Sequence, residues 1–354
     1  MADVRRWGSL GVALLAAAAM LAEPSAARRT PAPPVTARAA WPHAQRAALP
    51  ATLADGAGYE PAVFLDASRS VGTALTTDGH AVRLVLRAGD GSVRVLRELP
   101  VRQGASFDAP TVAGQTLVWV ETTRSDEQMW ALDLSPGGVP RRVTGDLGDA
   151  RFYQSQYDLV VAGGRVHWVA AGTGDTTEVR SVRLAGGQVD VRTQPGTWSL
   201  AAWPWLADGV TAAGGTTRLR NLSTGRDRVV ARHGRGVIAC SPLWCRVVSF
   251  NPDGDPQLEL MRPGGADRRK IGTGTVSNVL TDTAVLDRFE VFSRLTGNSD
   301  LTGHFQLLVY EIATRTSIEI SPDATDVSYR NGVLWWSTGN QDDFIRHTLD
   351  LRTV

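Results

Sequence analysis

Three stretches of this 354-residue chain gather side chains able to hold a ligand or move a proton. GDLGDARFYQSQYD (145–158) supplies Tyr153, Gln154, Gln156, Tyr157 and Asp158. GTWSLAAWPW (196–205) supplies Trp198, Trp203 and Trp205, and RLTGNSDLTGHFQ (294–306) supplies Asn298, Asp300 and His304. Aromatic faces beside amides and carboxylates suit the mixed apolar and hydroxyl surface of a sugar, or a peptide. Asp158 and Asp300 are the carboxylates a glycosidase or lyase would use, a chemistry that depends on a separation in space which sequence does not fix. For each of these residues ordinary loop or core packing is the competing account.

Other catalytic and metal patterns are missing. There is no GxSxG elbow, and the chain has no room for a second, hydrolase domain. HExxH does not occur, and His43, His80, His167, His233, His304 and His347 show no ligand spacing. NPDGDPQLE (251–259) lacks the glycine and terminal spacing of an EF-hand and reads as a hairpin turn. No metal, cofactor or catalytic residue is therefore expected. Cys240 and Cys245, in CSPLWC, read as a disulfide formed in an oxidising compartment, a local staple worth about 2 kcal/mol in the chain-entropy account. A redox dithiol would space its cysteines more closely, and a zinc site would need more ligands nearby.

The elements that must position these residues announce themselves by repetition. VAGQTLVWV (112–120) returns as VAGGRVHWV (161–169), with His167 in the place of Val118 and therefore read as a strand residue. Behind each copy comes a strand alternating apolar and polar side chains, clearest in VRLVLR (82–87), MWALDL (129–134), VRSVRL (179–184) and RHTLDL (346–351). Tight Gly-rich turns follow, except after the last. Seven four-stranded units of about 44 residues predict an all-β fold, a seven-bladed β-propeller, with six or eight blades as alternatives. The last unit lacks its fourth strand. AALPATLA (47–54) is expected to pair beside RHTLDL and close the ring, removing exposed edges. Trp119, Trp168 and Trp336 hold equivalent places and are expected to pack between blades.

FDAPTVAGQTLVWVE followed by QMWALDL resembles the blade pattern of secreted propellers of the TolB-like and WD40-like group, in which an aspartate opens the blade and a strand ending in Asp-Leu follows. The pattern extends over the folded region, with VAGQ and VAGG replacing the group's Ser-Pro-Asp-Gly turn and seven units against the six blades of TolB. The resemblance implies a module that binds proteins or peptides in the envelope, more than an enzyme.

Arg5 and Arg6 precede the apolar run 10–22, and Ser25 and Ala27 stand before Arg28, which reads as a signal peptide over 1–27. The run is too short to span a membrane, so no span is expected after its removal. Residues 28–46, rich in Pro and Ala, read as a linker, and 47–354 as the propeller domain. A formal net charge of +1, with arginines spread evenly and Lys270 the single lysine, points away from nucleic acid and anionic membrane. In an up-and-down blade the start of the first strand, the loop between second and third strands and the end of the fourth share one face, so the three long stretches are expected to converge there. The expectation is a secreted or cell-envelope-exterior, monomeric, non-catalytic propeller that binds a protein, peptide or glycan at that face. The alternatives are a carbohydrate-active propeller enzyme and a structural envelope scaffold.

Overall fold

The computed structural model describes residues 34–354 apart from His233, Asn298 and 341–343; the signal segment and the start of the proposed linker lie outside the described residues. The described chain enters through β1 (Val35–Thr36), the short helix α1 (Ala37–Ala40) and β2 (Arg46–Pro50). Antiparallel sheets then follow in chain order. The first holds β3 (Tyr59–Phe64), β4 (Ser70–Leu75), β5 (Ala81–Arg87) and β6 (Val93–Pro100), and the second β7 (Ser106–Ala113), β8 (Thr116–Thr122), β9 (Glu127–Asp133) and β10 (Arg141–Thr144). The third opens on a divided strand, β11 (Asp149–Ala150) and β12 (Val160–Ala162). Both pieces pair with β13 (Arg165–Ala171), which is followed by β14 (Thr176–Arg183) and β15 (Asp190–Pro195).

The fourth sheet is built of short strands, β16 (Trp198–Leu200), β17 (Trp205–Asp208), β18 (Arg218–Asn221) and β19 (Arg226–Val229). The fifth holds β20 (Val237–Cys240), β21 (Cys245–Phe250), β22 (Pro256–Met261) and β23 (Arg269–Thr273). An eight-stranded sheet ends the chain: β24 (Val276–Asn278), β25 (Phe289–Arg294), β26 (Phe305–Glu311), β27 (Thr316–Arg330), β28 (Val333–Thr338) and β29 (Ile345–Asp350), with β1 and β2 added. A one-turn helix, α2 (Ser299–Thr302), interrupts it between β25 and β26. The sheet is continuous because β27 serves twice: its first part pairs with β26 and its last residues with β28.

Burial explains why these segments are strands of stacked sheets. Second strands such as β8, TLVWVET, are buried on both faces, since each is covered by a sheet on either side. Fourth strands are mostly solvated: every residue of β19, RDRV, is exposed. Apolar clusters join each sheet to the next. Val63, Leu84 and Leu96 of the first meet Leu117 and Trp119 of the second, and Val118 and Met129 of the second meet Val166 and Trp168 of the third. Leu49, Val333 and Trp335 finally meet Phe64 of the first sheet. The sheets therefore form a ring, an all-β propeller. Trp119 and Trp168 are fully buried between sheets; Trp336 is buried against the eight-stranded sheet's core.

The N-terminal strand lies where the repeat requires it. Arg46–Pro50 pair with Ile345–Leu349, and Arg346 Nη1 donates to Tyr59 O (2.8 Å) in the first sheet. The segment preceding it corrects the linker expectation. From Val35 onward the chain is in place: β1 adds in parallel to β27, and Trp41, 8% exposed, packs edge-on against Phe289 at 5.6 Å. Arg46 Nη2 donates to Ala37 O and Trp41 O. A Pro/Ala-rich composition averaged away the one large aromatic side chain that anchors this stretch. Cys240 and Cys245 are bonded, as neighbours across the β20–β21 hairpin. No described helix is long and apolar enough to cross a membrane.

Candidate functional site

The gap between β11 and β12 is where the third sheet departs from its repeat, and its residues 151–159 cross the space enclosed by the first strands. The crossing segment is folded on itself by Asp158, whose Oδ1 accepts from Tyr153 N (2.9 Å) and Oδ2 from Ser155 N (3.1 Å). At its turn Gln154 takes a left-handed backbone, φ 61°. The far side is gripped by Asp282, in the loop after β24: Ser155 Oγ donates to its Oδ1 (2.5 Å) and Gln156 N to its Oδ2 (3.1 Å). Arg330, at the end of β27, completes the anchor by donating to Ser155 O (3.1 Å) and Pro110 O (2.9 Å). A segment of the third sheet is thus tied to the eight-stranded sheet at two places, and through Arg330 to the second sheet, and plugs the axis.

Its charges lie together, Asp158 buried and Asp282 and Arg330 half-buried. Burial pushes the Asp158 carboxyl up to about 6, against the pull of the Tyr153 hydrogen bond and the Arg330 guanidinium. Asp282 is raised for the same reason, opposed by its bonds from Ser155 and Gln156, and burial lowers Arg330. Beneath Asp282 an ion pair, Arg246 Nη1 to Glu290 Oε1 (2.8 Å), is almost wholly excluded from water, and Arg246 also donates to Thr281 O and Asp282 O. All four carboxylate oxygens of Asp158 and Asp282 accept hydrogen bonds from the plug itself.

Two cavities flank the plug. The first, about 360 Å³, runs from Gly209, Val210 and Val237 at one end to Ala201 and Ser241 at the other, with Tyr153, Tyr157, Asp158, Asp282 and Arg246 in its wall. The second, about 300 Å³, is lined by Gln154, Leu280, Tyr329, Arg330 and Trp335. The Tyr329 hydroxyl is buried there without a hydrogen-bond partner. Among the described residues no group of His, Cys, Asp and Glu is placed to hold a metal ion.

The structure brings together Tyr153, Gln154, Gln156, Tyr157 and Asp158 at the plug, and it separates the remaining candidates from them. Trp198 is buried between the third and fourth sheets, its Nε1 donating to Pro195 O (2.7 Å) with the Arg220 guanidinium 4.8 Å above its ring. Trp203 and Trp205 flank the hairpin turn from β16 into β17, the opposite end of that strand from the long loops; Arg228 covers Trp205 at 5.1 Å. The expected convergence fails here because 196–205 is a short strand and a turn, not one long loop. Asp300 is exposed on α2, and His304 Nδ1 meets Asp323 Oδ1 at 2.6 Å; neither lines the cavities. Asn298 lies outside the described residues. Ser155, Asp282, Arg246 and Arg330 were missed by sequence reasoning. Only Arg330 left a signal, since it stands where the repeat has Ala113 and Ala162.

No family model and no curated protein matches the sequence. Among solved structures the chain is similar to an uncharacterized protein of Listeria monocytogenes, with a TM-score of 0.52 at 10% identity over 83% of this chain and 92% of that one. It is also similar to oligogalacturonate lyase of Vibrio parahaemolyticus (0.49, 9% identity, 82% and 89%) and to TolB of Acinetobacter baumannii (0.42, 12% identity, 73% and 65%). TolB is thus among the propellers this chain is similar to. At such identities the likeness is one of fold alone.

Proposed function

We propose that this chain is an exported, monomeric, seven-bladed propeller that binds a protein, peptide or glycan partner without transforming it, in the axial cavity beside the plug. Seven blades follow from reading the eight-stranded sheet as two that share β27, the second completed by β2. Export rests on the signal-like N-terminus and is in keeping with the Cys240–Cys245 disulfide. The observation that carries the binding reading is the engagement of every oxygen of Asp158 and Asp282 within the plug, which leaves a walled cavity with no free carboxylate pair. One observation favours a carbohydrate-active enzyme instead: burial holds Asp158 at about 6, a value suited to a general acid.

The test is cross-linked capture from envelope and culture fluid, with glycan and peptide arrays in parallel. The parent is compared with Ala239→Phe, which places a ring into the cavity from β20. A partner held by the parent and lost at least tenfold by an equally stable Ala239→Phe supports the reading. Turnover of an oligosaccharide or peptide that Asp158→Asn abolishes overturns it in favour of the enzyme.

A further inference from the structure

The fourth sheet is too small for its neighbour. Its strands have three or four residues, whereas β14 has eight and β15 six, so part of the third sheet's face is left uncovered. The result is a groove of about 700 Å³ between the two sheets, reached by none of the residues of the plug. One wall presents Arg165, His167, Ser181, Asp190 and Arg192; the other presents Trp203.

Each of these side chains has a defined state. The Trp203 and His167 rings stack at 3.6 Å and 26°, which fixes the indole, and His167 Nε2 lies 3.3 Å from Ala162 O, which fixes the imidazole. Burial lowers the His167 pKa, with Arg165 and Arg192 adding to the effect, so the ring is neutral near pH 7 and the positive charge of the wall is that of the guanidinium groups. Arg165 is neutralised by Asp190 and also bonded to Ser181 Oγ (3.2 Å). Arg192 is exposed and has no ion-pair partner among the described residues. The groove therefore offers the face of the Trp203 indole turned away from His167, the Ser181 hydroxyl as a donor, the Asp190 carboxylate as an acceptor, and one uncompensated guanidinium. A sugar ring matches the first three, with its C–H face on the indole and its hydroxyl edge toward Ser181 and Asp190. The guanidinium adds a preference for a ring that carries a carboxylate.

From this geometry we infer that the groove between the third and fourth sheets is a second binding site, for an oligosaccharide of acidic sugars. Trp203 and Arg192 contact the ligand, and His167 is a positioning residue that holds Trp203. The inference does not rest on the axial cavity.

Isothermal titration of the full mature chain with a hyaluronan hexasaccharide and with the neutral N-acetylchitohexaose tests it. The acidic probe is expected to bind at least tenfold more tightly, and its affinity is expected to fall as salt rises. Arg192→Gln should bring the acidic probe to the affinity of the neutral one. Trp203→Ala should weaken both and Trp203→Phe restore most of the loss, while the axial variant Ala239→Phe should change neither. Equal affinity for the two probes, no saturable binding of either at millimolar concentration, an affinity for the acidic probe indifferent to Arg192→Gln, or affinities unchanged in a folded Trp203→Ala would overturn the inference. Arg192 is exposed, so its variant is expected to fold even if Trp203→Ala does not.

Discussion

Ser155 and Asp282, 127 positions apart in the chain, meet across the axis of the ring with the serine hydroxyl donating to the carboxylate at 2.5 Å. Ser155→Ala removes a part-buried bond to a charged acceptor, which costs about 1.5–3 kcal/mol, while Ser155→Thr keeps the hydroxyl and should lose less. The urea midpoint measures the cost. Hydrogen exchange locates it: protection should fall at Tyr153, Ser155 and Gln156, whose amides are bonded within the plug. Unchanged exchange there would show that the plug is held by something other than this contact.

Asp158 gives the protein a pH dependence of definite sign. Its folded-state carboxyl titrates near 6 and its unfolded one near the ordinary 3.8, so between these values the folded state binds the extra proton. The stabilisation is fully present below about 4 and is lost as pH rises through 6. Asp158→Asn cannot titrate and carries no such slope. The stability difference between variant and parent should therefore shift in the variant's favour from pH 4 to pH 7, on top of a constant offset from the altered hydrogen bonds. Parallel pH–stability curves for the two proteins would contradict the assignment.

Trp41 makes the N-terminal segment part of the domain. It is 8% exposed and packed on Phe289, so Trp41→Ala should destabilise the whole ring by about 3–5 kcal/mol, as a large-to-small core substitution does. A flexible linker would lose nothing. Thermal or denaturant unfolding of the mature chain distinguishes the two directly.

What was legible in the sequence was local. Period-two strands, Gly-rich turns, the paired cysteines and the recurring tryptophans each depend on near neighbours or on comparison between repeats, and each led to the right element. Trp203 was misplaced because GTWSLAAWPW reads as one loop, whereas three of its residues pair as β16 and reverse the chain before the indole. Asp282 was invisible for a different reason: its role is set by Ser155, and nothing in LTDTAV records that partner. Arg330 lies between these cases. It replaces a repeat alanine with a side chain that costs free energy to bury, a departure that marks a position under a non-local demand.

That demand can be measured. Arg330 donates to Ser155 O and Pro110 O and is the positive charge that Asp158 and Asp282 share, so Arg330→Met leaves two carbonyls without their donor, Asp158 without its cation and Asp282 with Arg246 alone. Removing one partner of a buried charge cluster costs about 3–5 kcal/mol, and part of that is electrostatic. The electrostatic part exists only while the acids are ionised. With Asp158 titrating near 6, the cost of Arg330→Met should be greatest at pH 8 and smaller at pH 5, where protonation relieves the unpaired charge. Denaturant unfolding of parent and variant at the two pH values measures it. An equal cost at both would mean that Arg330 acts through its hydrogen bonds alone, and that the Asp158 and Asp282 carboxylates are stabilised by the plug's own N–H and hydroxyl donors.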